Sequence, residues 1–486
     1  DSNNEKVINA GIVTANYVYG KLLGNSDSDR NTTAGTNAGN DGTWSGATDN
    51  TLIGYDAGTA ITSGDKNVAV GSYALDANTT ASQNTAVGYG ALTANTTGSY
   101  HVAIGDRALE SNTTADSNTA IGRNSLQANT TGANNTALGY NSLDVNTTAS
   151  SNTALGSESL GANTTGASNS AVGANALDAN TTASYNTGIG VDALTANTTG
   201  AEHVAIGSRA LQANTTGADN TAAGFSALKA NTTGSYNCAF GGNALIANTT
   251  GANNIAVGYD ALAVNTTGQQ NTAVGHQALD ANTTGAYNQA FGQHTLTTNS
   301  TGDYNCAFGW GALFSNTTAD SNTAIGNLTL YNNSTGDNNT AVGYNALNDN
   351  TTGNKITAVG VNALHQNTTA NQSVAVGYEA LASNTTAGSQ AAFGAYALAL
   401  ITTGEHNTAV GQAALYTNTT GAYNTAVGMK SLYLATTAAN NTAIGYQSLY
   451  ANTTGNENTA LGYYALKANT VGDRNVSLGS WSLHSF

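Results

Sequence analysis

One spacing dominates the sequence: glycine recurs at every seventeenth position. From Gly54 to Gly479 there are 26 such glycines, with no insertion or deletion between them. An apolar residue precedes each glycine, and leucine follows four positions later in 25 of the 26 repeats. So strict a period is typical of a chain whose successive turns stack on one another.

The composition of the repeat predicts β structure. Numbered from its glycine, the consensus reads G-x-x-A-L-x-x-N-T-T-G-x-x-N-T-A-V, as in residues 88–104. Helical hairpin repeats are about twice as long, and Asn, Thr and Gly are poor helix formers. The T-A-V and A-L segments favour strands, whereas N-T-T-G-x-x-N favours turns. We therefore predict an all-β fold, a parallel β-solenoid or β-roll of 26 coils forming a fibre about 120 Å long at about 4.8 Å per coil.

Two asparagine columns are expected inside the coil. Position 8 is Asn in 22 of 25 complete repeats, with Ile61, Ile401 and Ala435 as the exceptions, and position 14 is Asn in 20 of 25. An Asn that exchanges with Ile is expected to be buried, and stacked coils would join such amides into hydrogen-bonded ladders. A turn role for Asn stays open and is compatible with a ladder.

Two apolar columns complete the predicted interior, namely Leu at position 5 and Val, Ile, Leu or Phe at position 17. The small residues at positions 4 and 16 are then expected on the opposite, outer face. That face predicts packing between copies of the chain, with a trimer favoured. The residues proposed for the core ladder are Asn78, Asn84, Asn95, Asn129, Asn135, Val87, Leu92 and Leu126.

Charge and cysteine content restrict the partners. The 486 residues carry a net charge of −16 with only 12 Lys and Arg. Because no basic stripe is present to neutralise phosphates, nucleic acid is not expected as a partner. Cys238 and Cys306 both occupy position 15, four coils apart, which is about 19 Å and beyond the reach of a disulfide. They are expected to be small buried fillers.

No signal peptide or membrane-spanning run is recognisable, so export is expected to involve a removed leader or another route.

The N-terminal segment does not follow the period. Residues 1–53 are interpreted as a separate strand, cap or joining segment, and residues 54–486 as the solenoid. The segment either caps the first coil or pairs with the last coil of the next molecule, which would make a head-to-tail polymer. The candidate polymerisation residues are Val7, Ile8, Ile12, Val13, Tyr17, Tyr19, Trp481 and Phe486.

The repeat resembles two groups of known proteins. Its N-T-A-V-G and H-V-A-I-G segments resemble the coils of trimeric autotransporter adhesin heads, whose parallel β-rolls pack three chains side by side, although those coils are shorter. The fuller unit A-V-G-Y-x-A-L-x-x-N-T-T-G and the leading GIVTANYVYGKLLGN resemble repeat regions of tail-fibre-type proteins, over nearly the whole chain. The resemblance implies an extracellular, cell-surface or virion protein that associates with itself, with no catalytic residues and no cofactor.

Aromatic residues at position 2 are the candidate adhesive surface. They could contact a cell-surface or glycan receptor, or they could pack on neighbouring coils or another subunit. The residues singled out are Tyr89, Tyr140, Tyr259, Trp310 and Tyr344.

Other functions have weaker support in the sequence. N-T-T is a glycosylation sequon, but an inward Asn would be unavailable. Adjacent threonines such as Thr96 and Thr97 should diverge, unlike the paired threonines of ice-binding solenoids. Residues 39–42, GNDG, are the only hint of calcium, and the seven histidines form no cluster typical of catalysis. We predict a non-enzymatic structural filament protein with a possible adhesive surface; the alternatives are a phage tail-fibre spacer or receptor-binding segment and an ice-binding solenoid.

Overall fold

The computed structural model describes residues 29–39 and 44–485. Its regular elements are β-strands of three residues each, and no helix occurs in these two ranges. The chain divides into two compact units, of which the first ends at Asn186 and the second begins at Thr187. The predicted all-β fold is confirmed, but the A-L segment that the sequence analysis expected to be a strand is a turn, in which Leu92 has a φ of 55°.

The first unit is a parallel ladder in which each strand pairs with the next strand along the chain. From β2 onward each strand residue pairs with its equivalent in the next repeat, as Thr136 does with Thr153. The strands are β1 Thr32–Ala34, β2 Thr51–Ile53, β3 Val68–Val70, β4 Thr85–Val87, β5 Val102–Ile104, β6 Thr119–Ile121, β7 Thr136–Leu138, β8 Thr153–Leu155 and β9 Ser170–Val172.

The second unit repeats this arrangement, and Thr323 pairs with Thr340 in the same register. Each unit is therefore a β-solenoid with one repeat per coil. Its strands are β10 Thr187–Ile189, β11 Val204–Ile206, β12 Thr221–Ala223, β13 Cys238–Phe240, β14 Ile255–Val257, β15 Thr272–Val274, β16 Gln289–Phe291, β17 Cys306–Phe308, β18 Thr323–Ile325, β19 Thr340–Val342, β20 Thr357–Val359, β21 Val374–Val376, β22 Ala391–Phe393, β23 Thr408–Val410, β24 Thr425–Val427, β25 Thr442–Ile444, β26 Thr459–Leu461 and β27 Val476–Leu478.

The ladder begins before the boundary expected from the sequence. Strands β1 and β2 pair in register, although the step from Thr32 to Thr51 is longer than the period of the later repeats. Gly35 takes the place of the repeat glycine, with a φ of 124°. The predicted limit at residue 54 therefore falls inside the coiled region, whereas the cap or joining role of residues 1–28 lies outside the described residues.

The repeat glycine is required by both conformation and space. Gly122 has a φ of 134°, a region that residues with a Cβ rarely adopt. A Cβ at this residue would also collide with the carbonyl oxygen of Gly139 on the next coil. Coils can therefore stack this closely only where position 1 has no side chain.

The coil interior differs from the prediction at the strand. Leu92 and Leu126 are fully buried, as expected, but so are the alanines at position 16, whereas Val87 at position 17 is only half-buried. Alternation in a three-residue strand turns the middle residue away from its neighbours. Since leucine and two asparagine columns already fill the interior, only a methyl group fits beside them. The assignment of Val87 to the core and of the position-4 and position-16 residues to an outer face was wrong.

Candidate functional site

The position-8 asparagines form a ladder that runs from Asn78 to Asn180 in the first unit and is interrupted in the second unit at Ile401 and Ala435. Asn129, which is fully buried, donates from Nδ2 to Asn112 Oδ1 at 3.0 Å and to the Gly132 carbonyl at 2.9 Å. Its own Oδ1 accepts from Asn146 Nδ2 at 2.9 Å. Asn95 donates to Asn78 in the same way, at 3.3 Å. The Asn129 amide thus links its coil to both neighbouring coils, with both of its hydrogens and its oxygen in use.

The position-14 asparagines bind the backbone of the next coil. Asn118 Oδ1 accepts the backbone N–H of Asn135 at 2.8 Å, and Asn135 Nδ2 donates to the Ala149 carbonyl at 2.8 Å. Asn84 likewise donates to the Gly98 carbonyl at 3.1 Å. These buried side chains add a bond from the preceding coil to turn carbonyls that the position-8 asparagine of their own coil also binds, as Asn146 does for Ala149 at 3.1 Å.

The position-8 geometry also determines whether the N-T-T sequon can be glycosylated. The Asn95 amide is fully buried and donates to Gly98 O at 2.8 Å, so a glycan could not be attached to it in the folded coil. Thr96 and Thr97 diverge as the sequence predicts. The half-buried Thr96 donates its hydroxyl to the Thr113 carbonyl at 3.0 Å, while Thr97 is exposed.

An outward face without charged side chains, made mostly of threonine and apolar residues, runs along the strands of each unit. We call it the outer strand face and define it as the side chains at positions 15 and 17 of β2 to β27. No Asp, Glu, Lys or Arg occurs at these positions in any repeat. The position-17 side chains reach exposures of 44% at Phe240 and Ile325 and 51% at Phe308. An unbroken column of partly exposed apolar side chains at position 17 is typical of an interaction site.

Two thiols lie on the outer strand face. Cys238 and Cys306 are both half-buried and free, and partial burial raises the pKa of each thiol. Each precedes a buried alanine and an outward phenylalanine in the same C-A-F strand. They therefore face out of the coil, and the expectation that they fill its interior was wrong.

The five candidate surface aromatics are all exposed, with values from 46% to 54%. Three of them contact a neighbouring coil. Tyr89 meets Tyr73 edge to face at 5.8 Å between ring centroids, the Arg123 guanidinium lies 6.0 Å from the ring of Tyr140, and Tyr259 stacks on a histidine ring. These contacts favour the packing role for the three rings, and the remaining two are Trp310 and Tyr344.

A second aromatic column was not anticipated from the sequence. Tyr416, Tyr433 and Tyr450 occupy position 6 of successive coils and stack with 5.3 Å between neighbouring centroids and interplanar angles of 7° and 3°. Because each ring covers the face of the next, the column joins coils and leaves little ring face for a sugar. Its sequence signal is tyrosine at the same position of consecutive repeats.

Position 12 also has a role that the sequence analysis missed. Where position 12 is Ser, Asp or Asn, its side chain accepts the backbone N–H of position 12 on the preceding coil, as Asp116 does from Ser99 at 2.8 Å and Asn371 from Asn354 at 2.7 Å. In the sequence this position looks like a variable surface site, because Ala also occurs there. The residues that make the bond share a side-chain oxygen close to the backbone.

Of the polymerisation residues, only Trp481 lies within the described part of the chain. It is 53% exposed and its ring centroid lies 4.6 Å from that of Tyr464. Val7, Ile8, Ile12, Val13, Tyr17, Tyr19 and Phe486 lie outside the described residues.

Two aspartates, Asp144 and Asp178, lie on either side of Gly161 in the first unit. A side chain at Gly161 would lie 2.8 Å from Asp178 Oδ1 and 3.8 Å from Asp144 Oδ1. Partial burial raises the pKa of both aspartates; the charges of Asp178 and Glu158 raise that of Asp144 further, and the charge of Glu158 raises that of Asp178. Within residues 29–39 and 44–485, no group of three or more His, Cys, Asp or Glu is arranged to hold a metal ion.

No known family model matches the sequence, and no curated protein is significantly similar to it. A helix long and apolar enough to cross a membrane is likewise not found in the part of the chain that the structure describes. The structure itself is compatible with repeat proteins of the β-roll type.

Proposed function

We propose that this chain is a non-enzymatic structural protein whose copies pack side by side into an extracellular or virion fibre. The observation that carries the proposal is the outer strand face, which is uncharged in every repeat while the chain as a whole has a net charge of −16. Charges are thus restricted to other positions. A surface that excludes charge and exposes Phe, Ile and Leu is suited to contact with a second apolar surface.

The dimensions of this face fit a stable interface. In the second unit, 18 strands at about 4.8 Å spacing, each about 10 Å long, present roughly 800 Å² per copy. Stable interfaces bury about 800 Å² on each partner. The resemblance to adhesin heads supports three copies, a cell-surface or virion location and a glycan receptor at the remaining aromatics, and the tail-fibre resemblance supports a spacer segment instead.

The mass of the native protein tests this proposal. The wild-type chain is expected at a multiple of 48.6 kDa in light scattering, with three chains favoured. The variant with Phe308→Lys and Ile325→Lys should become monomeric, because two ammonium groups would then be buried in the interface. Both residues are exposed in the single chain, so the circular dichroism spectrum should not change.

The matched control is Gln270→Lys, at an exposed position 13 where Lys355 occurs naturally in another repeat. This variant should keep the wild-type mass. A monomeric wild-type protein, or an oligomer that persists in the double lysine variant, would show that the outer strand face does not mediate association.

Ice binding is a second candidate, because the T-A-V strands turn their threonines outward. Thr408, Thr425 and Thr442 occupy consecutive coils of the outer strand face. The row is interrupted by Val, Ile and Cys elsewhere, and exposed phenylalanines make the face uneven. Thermal hysteresis of the purified protein distinguishes the two functions: a fibre protein should give none, whereas an ice-binding solenoid should depress the freezing point.

A further inference from the structure

Two histidines replace asparagine in the position-14 ladder, one in each unit. His101 is 1% exposed and His203 is fully buried. His101 Nδ1 accepts the backbone N–H of Asn118 at 3.1 Å, and its Nε2 lies 2.7 Å from the Ala115 carbonyl oxygen. His203 Nδ1 accepts the N–H of Asn220 at 3.2 Å. The imidazole of His101 thus reproduces the two contacts that an asparagine amide makes at this position.

Only one protonation state of the ring fits these contacts. Nδ1 must be the acceptor for the N–H of the next coil, and Nε2 must carry the hydrogen that is donated to the carbonyl. A second proton would place an N–H on Nδ1 pointing directly at the N–H of Asn118. The Asn112 amide nitrogen, another donor, lies 3.1 Å from Nε2 in either protonation state, so the new unfavourable contact of an imidazolium is the one between Nδ1 and the N–H of Asn118.

Charged neighbours compensate only in part. The coil that follows His101 contributes Asp116, and the coil that follows His203 contributes Asp219. On the coil before His101, the neutral amide of Asn84 accepts the backbone N–H of His101. Burial lowers the pKa of both histidines, and the hydrogen bonds and these carboxylates raise it by less. The folded coil therefore binds a proton less readily than the unfolded chain does. Below about pH 6.5 the unfolded state takes up protons that the folded state does not. The free energy of unfolding of these coils therefore decreases as the pH decreases.

We propose that His101 and His203 are acid-sensitive joints at which the solenoid opens locally when the imidazole is protonated. Protonation removes the acceptor for the next coil and places a charge in a buried ladder. Because 20 of 25 repeats carry Asn at this position, most coils lack the titratable group and should stay closed. Opening at these two coils would make the chain selectively accessible there, for example to proteases, in acidic surroundings.

Hydrogen exchange of the full-length protein tests the proposal. Peptides containing Asn118 or Asn220 should exchange faster at pH 5 than at pH 7.5, after correction for intrinsic exchange. The increase should reach up to about tenfold for each unit by which burial lowers the pKa. In the double variant His101→Asn and His203→Asn, which restores the consensus residue, this acid response should disappear.

The control replaces His276 and His406, which are both exposed, by Asn and should retain the acid response at Asn118 and Asn220. An acid response of equal size in the wild type and in the His101→Asn, His203→Asn variant would overturn the proposal. So would a wild-type protein whose exchange at these coils does not respond to acid. Since the Asn variants match the other coils, their folding is expected to be intact.

Discussion

The leucine at position 5 combines backbone strain with burial, which is complete in every coil except that of Leu483. All 25 of these leucines have a φ between 48° and 56°, the left-handed region, which costs a residue with a side chain about 1–2 kcal/mol. Full burial of a leucine contributes about 1.5–3 kcal/mol, which offsets that strain. The exception in sequence, Gly58, has a φ of 56°, so the turn is kept even where the side chain is missing.

This combination predicts a difference between two substitutions of similar volume. Leu126→Met should cost less than about 1.5 kcal/mol, because an unbranched side chain can follow the same path. Leu126→Ile should cost more by about 1–2 kcal/mol, since branching at Cβ is poorly tolerated at positive φ. Urea unfolding of the two variants measures this, and equal midpoints would contradict the strained geometry.

The asparagine ladder predicts that an isosteric acid is worse than a truncation. Asn129→Asp removes two donated hydrogen bonds and aims a carboxylate at the oxygens of Asn112 and Gly132, so it should destabilise the protein by about 3–5 kcal/mol at pH 7. Asn129→Ala should cost less, because Ala435 occupies the equivalent position naturally.

Thermal unfolding at pH 7 ranks these two variants. The matched control is Asn253→Asp at an exposed position 13, which should be close to neutral because Asp219 occurs at that position in another repeat. If the buried and the exposed Asn→Asp changes have the same effect, the position-8 amides are not in a ladder.

The burial of a residue could be predicted from the sequence where the substitutions at its repeat position were informative. Exchange of Asn with Ile at position 8 indicates burial, and the structure places Asn78 and Asn95 in the interior. Size was a poor guide at the strand, because the sequence analysis put the larger residue, such as Val87, inside. Which strand residue points inward depends on the space that leucine and the amides leave in the coil interior. The sequence of a single repeat does not show how large that space is.

At the scale of the coil, the pairing register of the strands could be predicted from the sequence, but the first coil of the strand ladder could not. A fixed period requires that equivalent residues pair, as those of β18 and β19 do. The first coil escaped notice because the spacing from Gly35 to Gly54 is longer than that between the later glycines. Its signal is the sequence N-T-T-A-G at 31–35, in which Asn31 Oδ1 accepts the N–H of Asn50 at 2.8 Å.

The coil as the unit of stability predicts the outcome of two deletions. Removal of residues 258–274 joins Val257 to Gly275 and keeps the V-G junction, so the remaining coils should stack and stability should fall only slightly. Removal of residues 258–275 joins Val257 to His276 and loses the glycine that close stacking needs. Far-UV circular dichroism and solubility compare the two, and equal folding of both would show that the register is not strict.

At the scale of the whole molecule, the chain separates its surfaces by chemistry. Buried amides and alanines form the interior, the outer strand face is free of charge, and the acidic and basic residues occupy other positions. The sequence indicated that one face associates with other copies but assigned that role to the alanines, which are inside. The uncharged columns at positions 15 and 17 were visible in the sequence, but their outward direction required the structure.

The central claim is that each coil lies directly on the next, with every residue over its equivalent in the neighbouring repeat. Cysteine pairs test it most directly, in a protein in which Cys238 and Cys306 are replaced by Ser. Thr323→Cys with Thr340→Cys, on paired strands, should form an intramolecular disulfide on mild oxidation, detected by mass spectrometry. Thr323→Cys with Thr357→Cys, two coils or about 9.6 Å apart, should form none. Failure of the first pair, or equal bridging by both, would contradict the account.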